Sequence, residues 1–358
     1  MNKTNLRLII ATITISLFGL LMIYSASYVW AEYKFNDPFK YIKSQGIFLI
    51  VGIILMLLVS KIPFEKYYKY ANKIFVVCFI LLILVLFFGT ERNGSKSWFG
   101  IGSFGIQPSE FMKLAMIIFT SKYLYNNQKD LGNIKKGVLP ILGITLIIFA
   151  LIMLQPDFGT GVILVIGVIG LLFIGGVDIK FFLKIGLFGV IGVIVLIITA
   201  PYRLKRILSF LNPWADPLGS GFQIIQSLYA IGPGGLFGFG LGESRQKHFY
   251  LPEPQTDFIF SIISEEFGFL GVIIVSLLFI TIIYLGIKIA LKSNNLFGKY
   301  LAFGIVFSLG FQALLNLMVV VGLIPVTGVT LPFLSYGGSS LLITLISIGI
   351  VLNVNRKN

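Results

Sequence analysis

Charge is scarce in this sequence, and what there is leans one way. Only 12% of the 358 residues are Asp, Glu, Lys or Arg, against about 25% in an average soluble domain. Acidic residues number 14 and basic ones 28, for a formal net charge of +14. A single cysteine, Cys78, excludes an intrachain disulfide and any cysteine metal cluster. A single histidine, His248, excludes a multi-histidine metal site on one chain. There is no Walker-type phosphate loop, so no nucleotide is expected, and no internal repeat of the kind that builds inverted-repeat transporters.

Apolar residues are abundant instead: 57% of the chain is hydrophobic, with a mean hydropathy of +0.96. Crossing a hydrocarbon core of ~30 Å takes about 20 apolar residues. Ten such runs occur, near 6–28, 44–60, 73–89, 108–126, 138–154, 158–176, 182–200, 257–290, 299–322 and 334–353. Backbone groups in lipid must be satisfied within the segment, so each run is expected to be a helix. The expected fold is an all-α polytopic membrane protein, a single domain over 1–358. It has about ten transmembrane helices and one large extracellular loop, 201–256, between helices 7 and 8.

Lys and Arg set the orientation. With the N-terminus in the cytoplasm, inner loops and tails carry 17 basic residues and the short outer loops five, from Lys34 to Lys96. The positive-inside rule therefore places both termini in the cytoplasm. Most of the net charge faces anionic inner-leaflet lipid, and nucleic acid is not an expected partner.

The long outer loop is too apolar for a free linker and too short for a domain. It opens with Tyr202-Arg203-Leu204-Lys205-Arg206 and closes with Gly242-Glu243-Ser244-Arg245-Gln246-Lys247-His248. Short helices lying in the interface and folding back over the bundle are expected. The two basic clusters suit a phosphorylated lipid headgroup, with simple anchoring to anionic lipid as the alternative. The glycines between Gly232 and Gly242 are read as flexible backbone hugging a substrate or a membrane surface.

Acids at membrane boundaries are costly and therefore informative. Tyr250-Leu251-Pro252-Glu253-Pro254-Gln255-Thr256-Asp257 sets an acid between a proline-stiffened loop and an apolar span. Thr256 or Asp257 could cap that helix, and a carboxylate fixed below a phosphate-binding loop is also what a transfer site needs. Glu110 and Lys113 share one face of the fourth span and can neutralise each other. Asp157 lies in the tight turn Gln155-Pro156-Asp157 and could cap the sixth span. Glu265 and Glu266 are adjacent, so they point to different faces, and at least one is expected inside the bundle with a basic or polar partner.

Several of these runs together resemble the SEDS family of cell-wall polymerases. They are Arg92 to Phe99, Gln107-Pro108-Ser109-Glu110-Phe111-Met112-Lys113, Gln155 to Gly161, Asn212-Pro213-Trp214, Gly238 to Glu266 and Pro325 to Ser340. The stretches 240–247 and 251–257 are more similar to the division and sporulation branch, FtsW and SpoVE, than to the elongation protein RodA. The short tails look most like the sporulation members. One departure is Ser97 before Trp98, where many members have Arg.

The resemblance implies a peptidoglycan glycosyltransferase acting on lipid II at the outer face of the bacterial plasma membrane. It implies a class B penicillin-binding protein as partner, within the division or spore-cortex machinery, with nascent glycan as product. It also implies a divalent cation, Mg2+ or Mn2+, with Asp257 as its candidate ligand. Asp257 is the expected catalytic carboxylate, supported by Lys113, Asp157, Glu110 and Glu253. Arg203, Arg206, Arg245, Gln246, Lys247 and Trp98 are the expected substrate contacts. A lipid flippase, or a noncatalytic scaffold for the transpeptidase, would have the same composition.

Overall fold

The computed structural model describes residues 2–92, 95–101, 104–198 and 201–356. Long helices form at the ten apolar runs. They are α1 (Lys3–Phe35), α2 (Lys40–Val59), α3 (Phe64–Phe88), α4 (Pro108–Asn126), α5 (Leu139–Met153), α6 (Phe158–Ile174), α7 (Ile179–Ile198), α10 (Ile259–Lys292), α11 (Leu296–Val320) and α12 (Gly338–Val354). The long loop holds two short ones, α8 (Pro201–Leu211) and α9 (Phe222–Ile231). Six helices of the described residues are long and apolar enough to cross a membrane, the fourth of them being α5 with its preceding turn. α6 and α12 are apolar but shorter.

Helix ends follow local chemistry. The Asn2 side chain accepts from the Thr4 N–H to start α1, and Asn36 in the left-handed conformation (φ 53°) ends it. Pro108 opens α4, where its missing N–H costs nothing. In the bundle α2 packs on α12, α10 on both α1 and α11, and α11 on α4 and α6. The outward faces are apolar, with Ile50, Val77 and Ile280 all exposed, as a lipid-facing surface requires. At the end holding both termini, the Asn355 amide donates to Asn5 Oδ1 at 2.5 Å, and Asn353 bridges the α2–α3 turn.

Two features depart from the expected all-helical bundle. Between α3 and α4 lies a three-stranded antiparallel sheet of β1 (Thr90–Arg92), β2 (Ser95–Ile101) and β3 (Phe104–Ile106). Its run of Trp98, Phe99, Phe104 and Ile106 has the aromatic and branched character that suits a pleated surface.

The second departure is a break in α10. Gly268 is non-helical (φ 59°, ψ −154°). Into the break runs the glycine-rich stretch of the long loop. Phe239 N–H donates to the Glu265 carbonyl (3.0 Å) and Gly240 N–H to that of Glu266 (2.9 Å). Phe269 N–H donates to Gly235 O at 2.9 Å and Leu270 N–H to Leu236 O at 3.1 Å. Backbone groups released by the break are thus satisfied by the loop, as burial demands. Gly238 (φ 74°) is required there, because a Cβ would meet the Glu266 carbonyl at 2.2 Å. The expectation that these glycines hug a substrate or a membrane surface is corrected at Gly234 and Gly238, whose backbones lie against α10.

Candidate active site

The proline-stiffened run is held by backbone contacts from two directions. Tyr336 N–H donates to the Gln255 carbonyl at 2.8 Å. The Asn316 amide on α11 donates to the carbonyls of both Asp257 and Val329, each at 2.7 Å. Thr256 Oγ lies 2.9 Å from Asp257 Oδ1 and 2.7 Å from the Glu253 carbonyl. Its one proton serves one acceptor at a time. The expected capping role is not seen: α10 starts at Ile259 with Phe258 at the cap position and no side-chain cap bond. Holding the Asp257 carbonyl on Asn316 keeps that residue outside the helix, and leaves its carboxylate on the loop, half-buried.

One helical turn along α11, Gln312 joins a second polar group. Lys113 Nζ lies 3.0 Å from Glu110 Oε1 and 2.8 Å from Gln312 Oε1, and the ion pair is almost fully buried. The Gln312 amide donates onward to the Thr330 carbonyl at 3.0 Å. Asp157 sits in the turn between α5 and α6 beside this group. Its Oδ1 accepts from Thr160 N–H at 3.2 Å, the expected cap, and its Oδ2 from Gln107 Nε2 (2.9 Å) and Ser109 Oγ (3.2 Å) at the start of α4. Burial pushes its carboxyl above the usual carboxylate range, against the opposing pull of the Thr160 hydrogen bonds. Glu110, Lys113 and Asp157 are therefore brought together. Asn316 and Gln312, which link this group to Asp257, were missed by sequence reasoning, although amides four residues apart inside an apolar span were a readable signal.

A third polar group holds the end of the loop. Glu265 accepts from Ser244 Oγ at 2.5 Å and from Arg245 N–H at 2.8 Å, with Gln246 N–H at 3.4 Å. Glu266 accepts from Ser25 Oγ on α1 at 2.7 Å and pairs with Lys247 Nζ at 3.0 Å. Lys247 also donates to the Gly242 carbonyl and lies over the Tyr28 ring. Both glutamates are buried, so adjacency did not send one to the surface: the loop wraps the helix and meets both.

Lys247, expected to touch phosphate, is corrected by this geometry, because its ammonium has no exposed surface and all its visible partners belong to the fold. Gln246 is half-buried, with its Oε1 buried and without a hydrogen-bond partner. Arg245 is exposed, its guanidinium 4.8 Å above the Phe239 ring. Arg203 and Arg206 lie on α8, and their side chains fall outside the described residues. Trp98 is half-buried on β2, where its carbonyl accepts from Thr90 Oγ1. Beside it Ser97 is buried and lies 2.9 Å from Ser95 Oγ, which donates to the Gln155 carbonyl. Ser97 thus helps dock the sheet on the turn that carries Asp157.

Among the described residues no three His, Cys, Asp or Glu side chains converge as a metal cage. Mg2+ commonly takes only one or two carboxylates and completes its shell with water and substrate phosphates. Asp257 and Glu253 are both half-buried on one loop, and a pair of carboxylates is the most such a site asks of the protein.

Residues 5–358 match the family model FtsW/RodA/SpoVE, described as cell cycle protein. The chain is 53% identical to stage V sporulation protein E of Bacillus subtilis (strain 168), covering 98% of this chain and 97% of that one. It is 40% identical to a probable peptidoglycan glycosyltransferase FtsW of Geobacter sp. (strain M18), over 96% of this chain and 95% of the relative. Among solved structures, a chain from a study of the coordination of polymerization and crosslinking by a peptidoglycan synthase complex superposes with TM-score 0.81. It is 32% identical, over 98% of this chain and 97% of that one. The rod shape determining protein RodA of Thermus thermophilus gives TM-score 0.72 at 30% identity, over 98% and 96%. With sequence and fold both matched along nearly the whole length, the chain belongs to the FtsW/RodA/SpoVE family.

Proposed function

We propose that this chain is a peptidoglycan glycosyltransferase that polymerises lipid II at the outer face of the plasma membrane, with Asp257 as its catalytic carboxylate and both termini in the cytoplasm. The observation that carries the reading is similarity over nearly the whole chain, at 36–42% identity, to relatives from several genera that are named probable peptidoglycan glycosyltransferase FtsW. The relative with 53% identity supports a sporulation setting. The neighbour from a complex that couples polymerization to crosslinking supports a penicillin-binding protein as partner.

Chain growth joins two sugars. The 4-hydroxyl of one attacks the anomeric carbon of the other, the bond from that carbon to the diphosphate oxygen breaks, and polyprenyl diphosphate leaves with the electron pair. Asp257 accepts the attacking hydroxyl's proton. Such general-base help contributes about 10² to 10⁴ in rate. Its backbone is fixed by Asn316 and its carboxylate is touched by Thr256, so the base is held before substrate arrives. A divalent cation carried on the diphosphate would neutralise leaving-group charge, and Asp257 and Glu253 are the residues that would meet it. The diphosphate bond drives the reaction, so a nucleotide is not needed.

The test is conversion of labelled lipid II to long glycan by the purified chain with its partner and Mg2+ or Mn2+. Glycan formed in detergent, without two compartments, is catalysis and not transport. A correctly folded Asp257→Asn protein that polymerised at the wild-type rate would remove Asp257 from its role.

A further inference from the structure

The outer loop contains a hollow of about 320 Å³ lined by Phe239, Gly242, Glu243, Ser244, Arg245 and His248. That volume is within the range of small-molecule sites. Three properties make it more than a surface dent. Its floor is rigid, because the backbone from Ser244 to Gln246 is fixed on the buried carboxylate of Glu265 and Lys247 is fixed on that of Glu266. The Arg245 guanidinium carbon lies 4.8 Å over the Phe239 ring, and the group carries the planar fork of N–H donors that matches phosphate. Its charge is mixed, with Arg245 and His248 against Glu243, so a bare anion would meet repulsion that a ligand carrying both phosphate and hydroxyl groups would not.

Depth identifies the ligand further. From Lys3 to Ser25, α1 rises about 33 Å at ~1.5 Å per residue, slightly more than the ~30 Å hydrocarbon core. Ser25 bonds Glu266, so the loop held on Glu266 lies where the outer headgroups begin. Asp257 precedes α10 and stands about 10 Å farther out along it. A lipid-anchored sugar diphosphate has the same order, with phosphates at the headgroups and sugars beyond them.

We propose that this hollow is a subsite for a sugar diphosphate anchored in the outer leaflet, with Arg245 and His248 on the phosphate oxygens and Glu243 on a sugar hydroxyl. It rests on the glycosyltransferase reading, which it extends by naming side chains that hold the diphosphate in addition to the acids that would meet its cation.

The probes are geranyl diphosphate with and without N-acetylglucosamine on its terminal phosphate, titrated calorimetrically into the full chain in detergent. Loss of a charge-assisted bond predicts that Arg245→Gln weakens both probes about 10- to 100-fold, with His248→Gln acting in the same direction. Glu243→Gln should weaken only the sugar-bearing probe, by several-fold. All three positions are exposed, and an unchanged melting temperature confirms the fold. Unaltered binding by Arg245→Gln and His248→Gln would overturn the subsite, as would competition by phosphatidylglycerol micelles equal to that of the sugar-bearing probe, which would make this a bilayer-headgroup contact. Lipid II polymerisation by the same preparation separates the two readings. Polymerisation with variant-insensitive binding removes the subsite alone, whereas variant-sensitive binding without polymerisation removes the enzyme reading and leaves the subsite standing.

Discussion

Lys247 Nζ and Glu266 Oε1 are 3.0 Å apart with neither side chain exposed, a full ion pair at the seam between the long loop and α10. Taking two charges out of water is costly, and the cost is recovered only while both partners and their hydrogen bonds are present. Ser25 and the Gly242 carbonyl supply those further bonds. Lys247→Met should therefore destabilise the protein by about 3–5 kcal/mol, since it strands a buried carboxylate. Adding Glu266→Gln, which keeps a group for Ser25, should recover most of that loss. Thermal unfolding in detergent reads both, and a single variant as stable as the wild type would show that water reaches the pair.

The seam also makes a graded prediction about glycine. Gly238 and Gly242 both have positive φ, 74° and 86°. At Gly242 a Cβ meets nothing within 4 Å, whereas at Gly238 it strikes the Glu266 carbonyl. Gly242→Ala should cost about 1–2 kcal/mol, the left-handed penalty alone. Gly238→Ala adds a backbone collision and should cost more, with faster proteolysis of the long loop as a second readout. Equal melting temperatures for the two variants would contradict the insertion of the loop into the α10 break.

Much of this protein was legible in its sequence because lipid imposes a simple rule on it. Each of the ten apolar runs became a helix, since backbone groups in hydrocarbon leave few alternatives. The pairing of Glu110 with Lys113 and the Asp157 cap followed from spacing and from residue type. What could not be read was tertiary. The α10 break at Gly268 carries no proline, and its existence depends on a loop segment some thirty residues upstream filling it. Lys247 looked like one more basic residue beside Arg245, because sequence separation gives no hint that it turns inward to Glu266. The role of Asn316 depends on a carbonyl, Asp257 O, that every residue type would provide.

That carbonyl contact has its own consequence. Asn316→Leu removes the amide that donates to the carbonyls of both Asp257 and Val329 and loosens the segment that carries the proposed base. A lost positioning contact should lower kcat for lipid II polymerisation well beyond any change in KM, with a stability loss of about 1–3 kcal/mol per carbonyl left unsatisfied. A purely structural role would lower yield and melting temperature while leaving kcat of the folded fraction unchanged. Single-turnover polymerisation normalised to folded protein distinguishes them.

Asp157 ties stability to pH. Burial raises its carboxyl above the ordinary aspartate value of 3.8, so the folded state binds this proton more readily than the unfolded chain does. Stability from this residue is then fullest below the ordinary value and falls as pH rises through the raised one. Asp157→Asn removes the titration. Its amide oxygen still accepts from Thr160 N–H, while Ser109 can turn its hydroxyl and Gln107 its amide to accept from the new NH₂. The variant should gain on the wild type as pH rises, with the difference levelling off once the wild-type carboxyl is fully ionised. Melting temperatures of the pair from pH 4 to 8 check the sign, and a wild-type advantage that grows with pH would mean that the Lys113 ammonium, and not burial, governs this carboxyl.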